Sequence, residues 1–358
     1  MTEGGNELLP QSLDTFLQAA LVTPFNASSF GASLFLPMTR QGGETESLLD
    51  LMERVEGLAE WLKSAVARHK ILRIPGQRFT SESFERLSSF MGVVQEAFHE
   101  KDLRPRMKKA LMSSEHSPLV TILSNDGAVL STQQGNFWHT EHRERPLPFP
   151  DLTLLFLDEQ ERPSFTDFIM QDLLFEKIDR NATEREFWER VTYKWDYPCE
   201  MFGDVRTETE CVNGTRAFLV PVVQKHPITG KRLFFLWGPG VYERAPAVGP
   251  HFLLSDSSDS RPEGAPRLIK RRSVESKELY ERLQSFLDSP QAAGLLVPFG
   301  WQRGDLVLMD NFVCAHKARQ ASQQSRKNAG LRRLLRSVVK YGEISTRPKE
   351  RGLANRQF

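Results

Sequence analysis

The stretch Asn136-Phe-Trp-His-Thr-Glu-His-Arg-Glu-Arg145 places two histidines and two glutamates within six residues, in a chain with only eight histidines. Side chains alternate faces along an extended strand, so His139 and Glu141 point one way, and Thr140 and His142 the other. A His-x-carboxylate pair on a strand face can grip a metal ion from one side, with Phe137 and Trp138 as an apolar wall. His142 faces away and is not expected to be a ligand. The same pair also reads as a polar strand end. Gln133, Gln134 and Asn136, just upstream, read equally as substrate-facing groups or as polar loop. A metal site needs a third ligand from elsewhere in the chain.

Two later stretches bear on that need. Gly304-Asp-Leu-Val-Leu-Met-Asp-Asn-Phe-Val-Cys-Ala-His316 reads as a strand, a turn at Asp310-Asn311 and a histidine beyond it. Taken alone, such a histidine is often no more than a hydrogen-bonded strand end. Cys314 shares its face if the segment is extended, and reads as a packed apolar thiol. Arg332-Arg-Leu-Leu-Arg336 then runs into Ser-Val-Val. Arginines inside an apolar strand are costly to bury without an anionic partner, although a solvated strand face would also accommodate them.

In this order, His139-x-Glu141, a distant His316 after Asp310-Asn311, and Arg332-x-x-x-Arg336 resemble the iron(II)/2-oxoglutarate-dependent oxygenases of the taurine dioxygenase group. Glu141 in place of the commoner aspartate is similar to the clavaminate synthase-like branch. Trp138 before the first histidine and Thr140 between the ligands match the same pattern. Val66 to Pro75 (VARHKILRIP) resembles the family's opening helix-to-strand passage. The resemblance spans roughly residues 45 to 342.

The resemblance implies a metal face of His139, Glu141 and His316 holding Fe(II). A two-histidine, one-carboxylate face leaves three of six positions open, here for 2-oxoglutarate and O2. Arg332 is implied as the partner of the far carboxylate, since a guanidinium fork offers paired in-plane donors. Arg333 takes that part if the strand slips by one residue, because a slip flips every side chain. Thr166 sits where the family places a threonine on an intermediate strand, although Pro163-Ser164-Phe165 stands where glycines are usual. Arg336 is implied near the centre of the site, against the oxo acid or an anionic substrate group. The implied reaction converts 2-oxoglutarate to succinate and CO2 while a substrate C–H bond is hydroxylated, with desaturation or cyclisation as variants. Retention of Glu141 speaks against a halogenase. A zinc hydrolase on the same three ligands, which would leave Thr166 and the arginine pair without a role, and a non-catalytic cupin-like binding protein are the competing readings.

The bounds agree with a globular enzyme. The chain has 358 residues, is 39% hydrophobic and 26% charged, and carries a net charge of +1. That balance argues against an electrostatic nucleic-acid binder. No apolar run reaches the ~20 residues needed to cross a bilayer, and the N-terminus lacks a signal-peptide pattern. Three cysteines are too few for a disulfide framework, which makes a reducing, cytoplasmic setting the default. The expected organisation is a leader over 1–43, one oxygenase domain over 44–345 with a helical lead-in at 44–92, a mobile insertion at 254–277 and a basic tail at 346–358. Short apolar runs separated by turns predict a mainly β scaffold with flanking helices, a double-stranded β-helix or cupin-like jelly roll. A small molecule is the expected substrate, amino-acid-like or from a specialised biosynthetic pathway. The sequence leaves the oligomeric state open.

Overall fold

A computed structural model of the chain describes residues 12–25, 30–36, 47–95, 111–114, 117–125, 138–141, 149–199, 210–227, 229–236, 251–255, 271–274, 276–287, 289–292, 294–319 and 326–342. Two sheets form a sandwich. The larger runs Leu21–Pro24, Ala32–Phe35, Ile71–Ile74, Leu306–Asp310, Leu152–Gln160, Arg332–Lys340, Ser117–Ser124, Leu111–Ser114, with Val93–Gln95 also pairing Arg332–Lys340. The smaller runs Leu296–Gly300, Phe165–Met170, Cys314–Ala318. All these neighbours are antiparallel except Ala32–Phe35 against Ile71–Ile74. This is the expected jelly roll.

Alternation along each strand separates two cores. Leu155, Leu157, Val307, Met309 and Leu334 point inward, where they meet Phe168, Met170, Phe299 and Cys314 of the small sheet. Leu152, Leu154, Phe156, Leu306, Leu308, Leu335 and Val339 point outward and bury the helices Leu58–His69 and Ser81–Met91. The second helix begins where Thr80 and Ser83 form a reciprocal capping box, and it buries Phe84, Leu87 and Met91 at helical spacing. Phe156 lies at this seam, edge-on to Phe79 with ring centroids 5.0 Å apart. Phe156→Ala is expected to cost about 3–5 kcal/mol in urea unfolding, without touching the sandwich interior.

On the far side of the small sheet, Ile169 and Ala315 pack with the helices Gln171–Asp179, Ala182–Glu189 and Ser276–Leu287. This layer also includes a further four-stranded sheet, Thr215–Pro221, Val191–Pro198, His251–Ser255, Arg271–Val274. No described helix is long and apolar enough to cross a membrane.

Three features depart from the sequence reading. The described parts of the expected leader belong to the fold: Leu13–Ala19 is a helix, Phe16 and Leu34 are fully buried, and Ala32–Phe35 extends the large sheet. The stretch 254–277 is entered and left by paired strands, with Leu254 opposite Arg272 and Phe252 opposite Val274; residues 256–270 lie outside the described residues, as does the 346–358 tail. Cys199 and Cys211 are disulfide-bonded, Cα to Cα 6.1 Å, at the mouth of the Val191–Pro198 and Thr215–Pro221 hairpin. The cysteine count therefore no longer supports a reducing setting. Cys314 is a buried free thiol, with its pKa pushed well up by burial and then by Asp310.

Candidate metal centre

His316 lies on Cys314–Ala318, opposite Phe168, and so faces the sandwich interior. His139 joins the same strand through an isolated antiparallel bridge: His139 N–H to His316 C=O at 3.1 Å, and His316 N–H to His139 C=O at 2.9 Å. The predicted His139-x-Glu141 strand is thus reduced to a single rung, and Glu141 already lies in a turn. The ligand atoms of His139, Glu141 and His316 all fall within 4.8 Å of one another. Glu141 Oε1 lies 3.9 Å from His139 Nε2 and 3.5 Å from His316 Nε2. Ligand atoms about 2.1 Å from one ion at right angles stand ~3 Å apart, so a small inward closure suffices.

The other Glu141 oxygen is engaged. Arg336 Nη1 donates to Oε2 at 2.7 Å, and both side chains are buried. Burial alone pushes the Glu141 carboxyl up, but Arg336, then His316 and His139, outweigh it and hold it well below its usual range. A buried carboxylate kept ionised, with one oxygen turned to two imidazoles, suits a divalent cation, and this nitrogen–oxygen set suits ferrous iron. Arg336, expected near the centre of the site, against the oxo acid or a substrate anion, meets the Glu141 carboxylate there.

Arg332 and Arg336 share the inner face of Arg332–Lys340 with Leu334. Arg333 points the other way, into Asp158 and Glu159, at a register shift beside Leu334. Arg332 is half-buried, and burial lowers its pKa from 12.5 to about 10. It stays charged at neutral pH, yet no carboxylate pairs with it among the described residues. There, its guanidinium is held only through Nε, which donates to Ser164 Oγ at 3.2 Å. Ser164 Oγ in turn donates to Gln160 Oε1 at 2.7 Å, and Gln160 Nε2 to Trp301 C=O at 3.1 Å. Trp301 Nε1–H donates to Thr166 Oγ1 at 2.9 Å. Thr166 is buried, faces inward two residues before Phe168, and keeps its hydroxyl proton for an acceptor. The serine that departs from the family's glycines is thus what orients Arg332.

Sequence reasoning passed over Trp301 and Gln160, and took Asn311 only as a turn residue. A buried indole N–H needs an acceptor, but nothing local says which one. Phe137, His142, Gln133, Gln134 and Asn136 lie outside the described residues.

Comparisons with known proteins bear on this site. The model of the taurine catabolism dioxygenase TauD, TfdA family matches residues 35–338. A taurine dioxygenase from Burkholderia xenovorans is similar in structure, with a TM-score of 0.54, 19% identity, and 90% of this chain and 92% of that chain covered. AAD-2, solved with Mn(II) and N-oxalylglycine, gives a TM-score of 0.54 at 16% identity, over 90% of this chain and 98% of that one. No curated protein matches the chain.

Proposed function

The chain belongs to the TauD, TfdA family of dioxygenases, and from that premise we propose that it is a 2-oxoglutarate-dependent iron oxygenase with His139, Glu141 and His316 as metal ligands. The observation that carries this reading is a half-buried, charged Arg332 with no described carboxylate partner, on the same strand face as the arginine that holds Glu141. Four residues of strand, roughly 13 Å, separate their Cα atoms. A diacid can lie along this face, with its oxo-acid end at the three donors, its far carboxylate at Arg332, and the Thr166 hydroxyl donating to the same carboxylate.

A ferrous ion at the three donors would supply the redox chemistry that couples 2-oxoglutarate decarboxylation to oxygenation of a C–H bond. The protein's own work is placement and charge. Arg336 neutralises Glu141 Oε2 and leaves Oε1 to the metal. Ser164 fixes the Arg332 fork by its Nε edge, so the paired Nη donors meet a carboxylate already aligned. The apolar walls Phe168, Leu334 and Met309 exclude water from the oxo acid, which strengthens each of these contacts. Trp301→Phe removes the donor that orients Thr166. It is expected to weaken 2-oxoglutarate binding by about 1 kcal/mol, roughly fivefold in KM, with kcat nearly unchanged.

The substrate of this reading is a small amino-acid-like molecule or natural-product intermediate, hydroxylated at an unactivated carbon. The test is succinate release from 2-oxoglutarate with Fe(II) and ascorbate, screened over amino acids and acidic metabolites and read by mass for one added oxygen. A zinc hydrolase on the same donors, or a cupin-like binding protein, releases no succinate.

A further inference from the structure

We propose that Asn311 is a positioning residue for the metal face, replacing the strand rung that Glu141 lacks; this rests on Glu141 being a metal ligand. Among the described residues, the ladder between the two ligand segments stops after the His139–His316 bridge. Had it continued, Glu141 would stand opposite Cys314. Instead the Asn311 carboxamide takes both backbone groups of Glu141. Glu141 N–H donates to Asn311 Oδ1 at 2.8 Å, and Asn311 Nδ2 donates to Glu141 C=O at 2.7 Å. The remaining capacity of that carboxamide is also used: Nδ2 donates to Pro150 C=O at 3.1 Å, and Thr153 Oγ1 donates to Oδ1 at 3.2 Å. Asn311 is fully buried, and its own N–H donates to Asp151 C=O at 3.0 Å. With two donors and two acceptors all engaged, the amide orientation is fixed.

The clasp matters because the Glu141 carboxylate is contested. Arg336 pulls one oxygen at 2.7 Å in a buried setting, where such a pair is strong. A glutamate in a turn, with its backbone unheld, can swing to give Arg336 both oxygens. Asn311 pins the Glu141 backbone, so that the side chain reaches Arg336 with one oxygen and the two imidazoles with the other. Asn311 is itself set by its neighbour. Asp310 Oδ1 accepts from Phe312 N–H at 2.9 Å and Val313 N–H at 3.1 Å, while Asp310 Oδ2 meets buried His226 Nε2 at 3.2 Å. The turn that presents Asn311 is therefore tied at three points, and it leads directly into His316.

The test uses Co(II) as the probe on the full chain, without 2-oxoglutarate. Affinity is measured against a chromophoric chelator, and geometry by the visible Co(II) spectrum. Asn311→Ala is expected to weaken Co(II) binding about 10–100-fold and to alter the spectrum. Phe156→Ala, with a comparable loss of stability, is expected to bind as the parent does. Asn311→Ser, whose hydroxyl can keep only one of the two bonds to Glu141, decides the matter if the alanine variant does not fold. Parent-like affinity and spectrum in the Asn311 variant would overturn the proposal. Glu141→Ala is the control: if it binds Co(II) as tightly as the parent, the ligand assignment itself fails, and the Asn311 proposal with it.

Discussion

Replacing His316 with alanine is expected to abolish succinate release from 2-oxoglutarate. Changing an outer partner of a metal ligand typically costs about 10–100-fold, so losing one of only three protein ligands should exceed a hundredfold. His316 is fixed from both sides, by its rung with Phe168 and by its bridge to His139, and its Nε2 lies 3.5 Å from Glu141 Oε1. Glu141→Ala should be as inactive, but for a second reason as well. It leaves Arg336 buried opposite an apolar stub, and breaking a buried ion pair from one side costs about 3–5 kcal/mol. Urea unfolding of the metal-depleted variants therefore separates the two: Glu141→Ala loses stability through the broken buried ion pair, whereas His316→Ala leaves the Glu141–Arg336 pair intact. Equal stability losses would mean that the Glu141–Arg336 pair contributes little.

The second large effect is at Arg332. Arg332→Met is expected to raise the 2-oxoglutarate KM by roughly 30-fold to several thousand-fold, since truncating one partner of a buried charge pair costs about 2–5 kcal/mol. Without ligand the sign reverses. Arg332 has no described carboxylate partner, so methionine removes a desolvated cation and should raise the melting temperature. The parent should gain stability as 2-oxoglutarate is added, by mass action on the folded state, and the variant should not. Arg333→Met is the contrast. It breaks a half-exposed contact with Asp158 and Glu159 on the opposite strand face, and should leave KM within about twofold, as for partly exposed pairs.

The functional chemistry was legible where the residue types are unusual for their setting. A His-x-Glu pair, a distant histidine after Asp310-Asn311, and arginines in an apolar run each need partners, and the structure brings His139, Glu141 and His316 together. Period-2 alternation puts Arg332, Leu334 and Arg336 on one face of an extended strand. It could not choose between Arg332 and Arg333, because that choice depends on the register against Leu152–Gln160 and on where Asp158 and Glu159 fall. The supporting contacts were beyond its reach. Asn311 reads as a turn residue until Glu141, 170 positions earlier, is placed against it. Trp301 and Thr166 meet only across neighbouring strands. The same limit applies to the N-terminal segment, where Phe16 and Leu34 lie in short apolar stretches whose burial depends on the distant sheet edge that Ala32–Phe35 extends. Cys199 and Cys211 lie on either side of a hairpin mouth that cysteine spacing alone does not reveal.

The most direct test is a crystal structure of the protein with Mn(II) and 2-oxoglutarate, grown without oxygen. The account predicts one metal ion bound by His139 Nε2, Glu141 Oε1 and His316 Nε2, with the oxo acid chelating it and its far carboxylate on Arg332 and Thr166. A metal held by a different set of side chains, or an oxo acid whose far carboxylate lies away from Arg332, would contradict it.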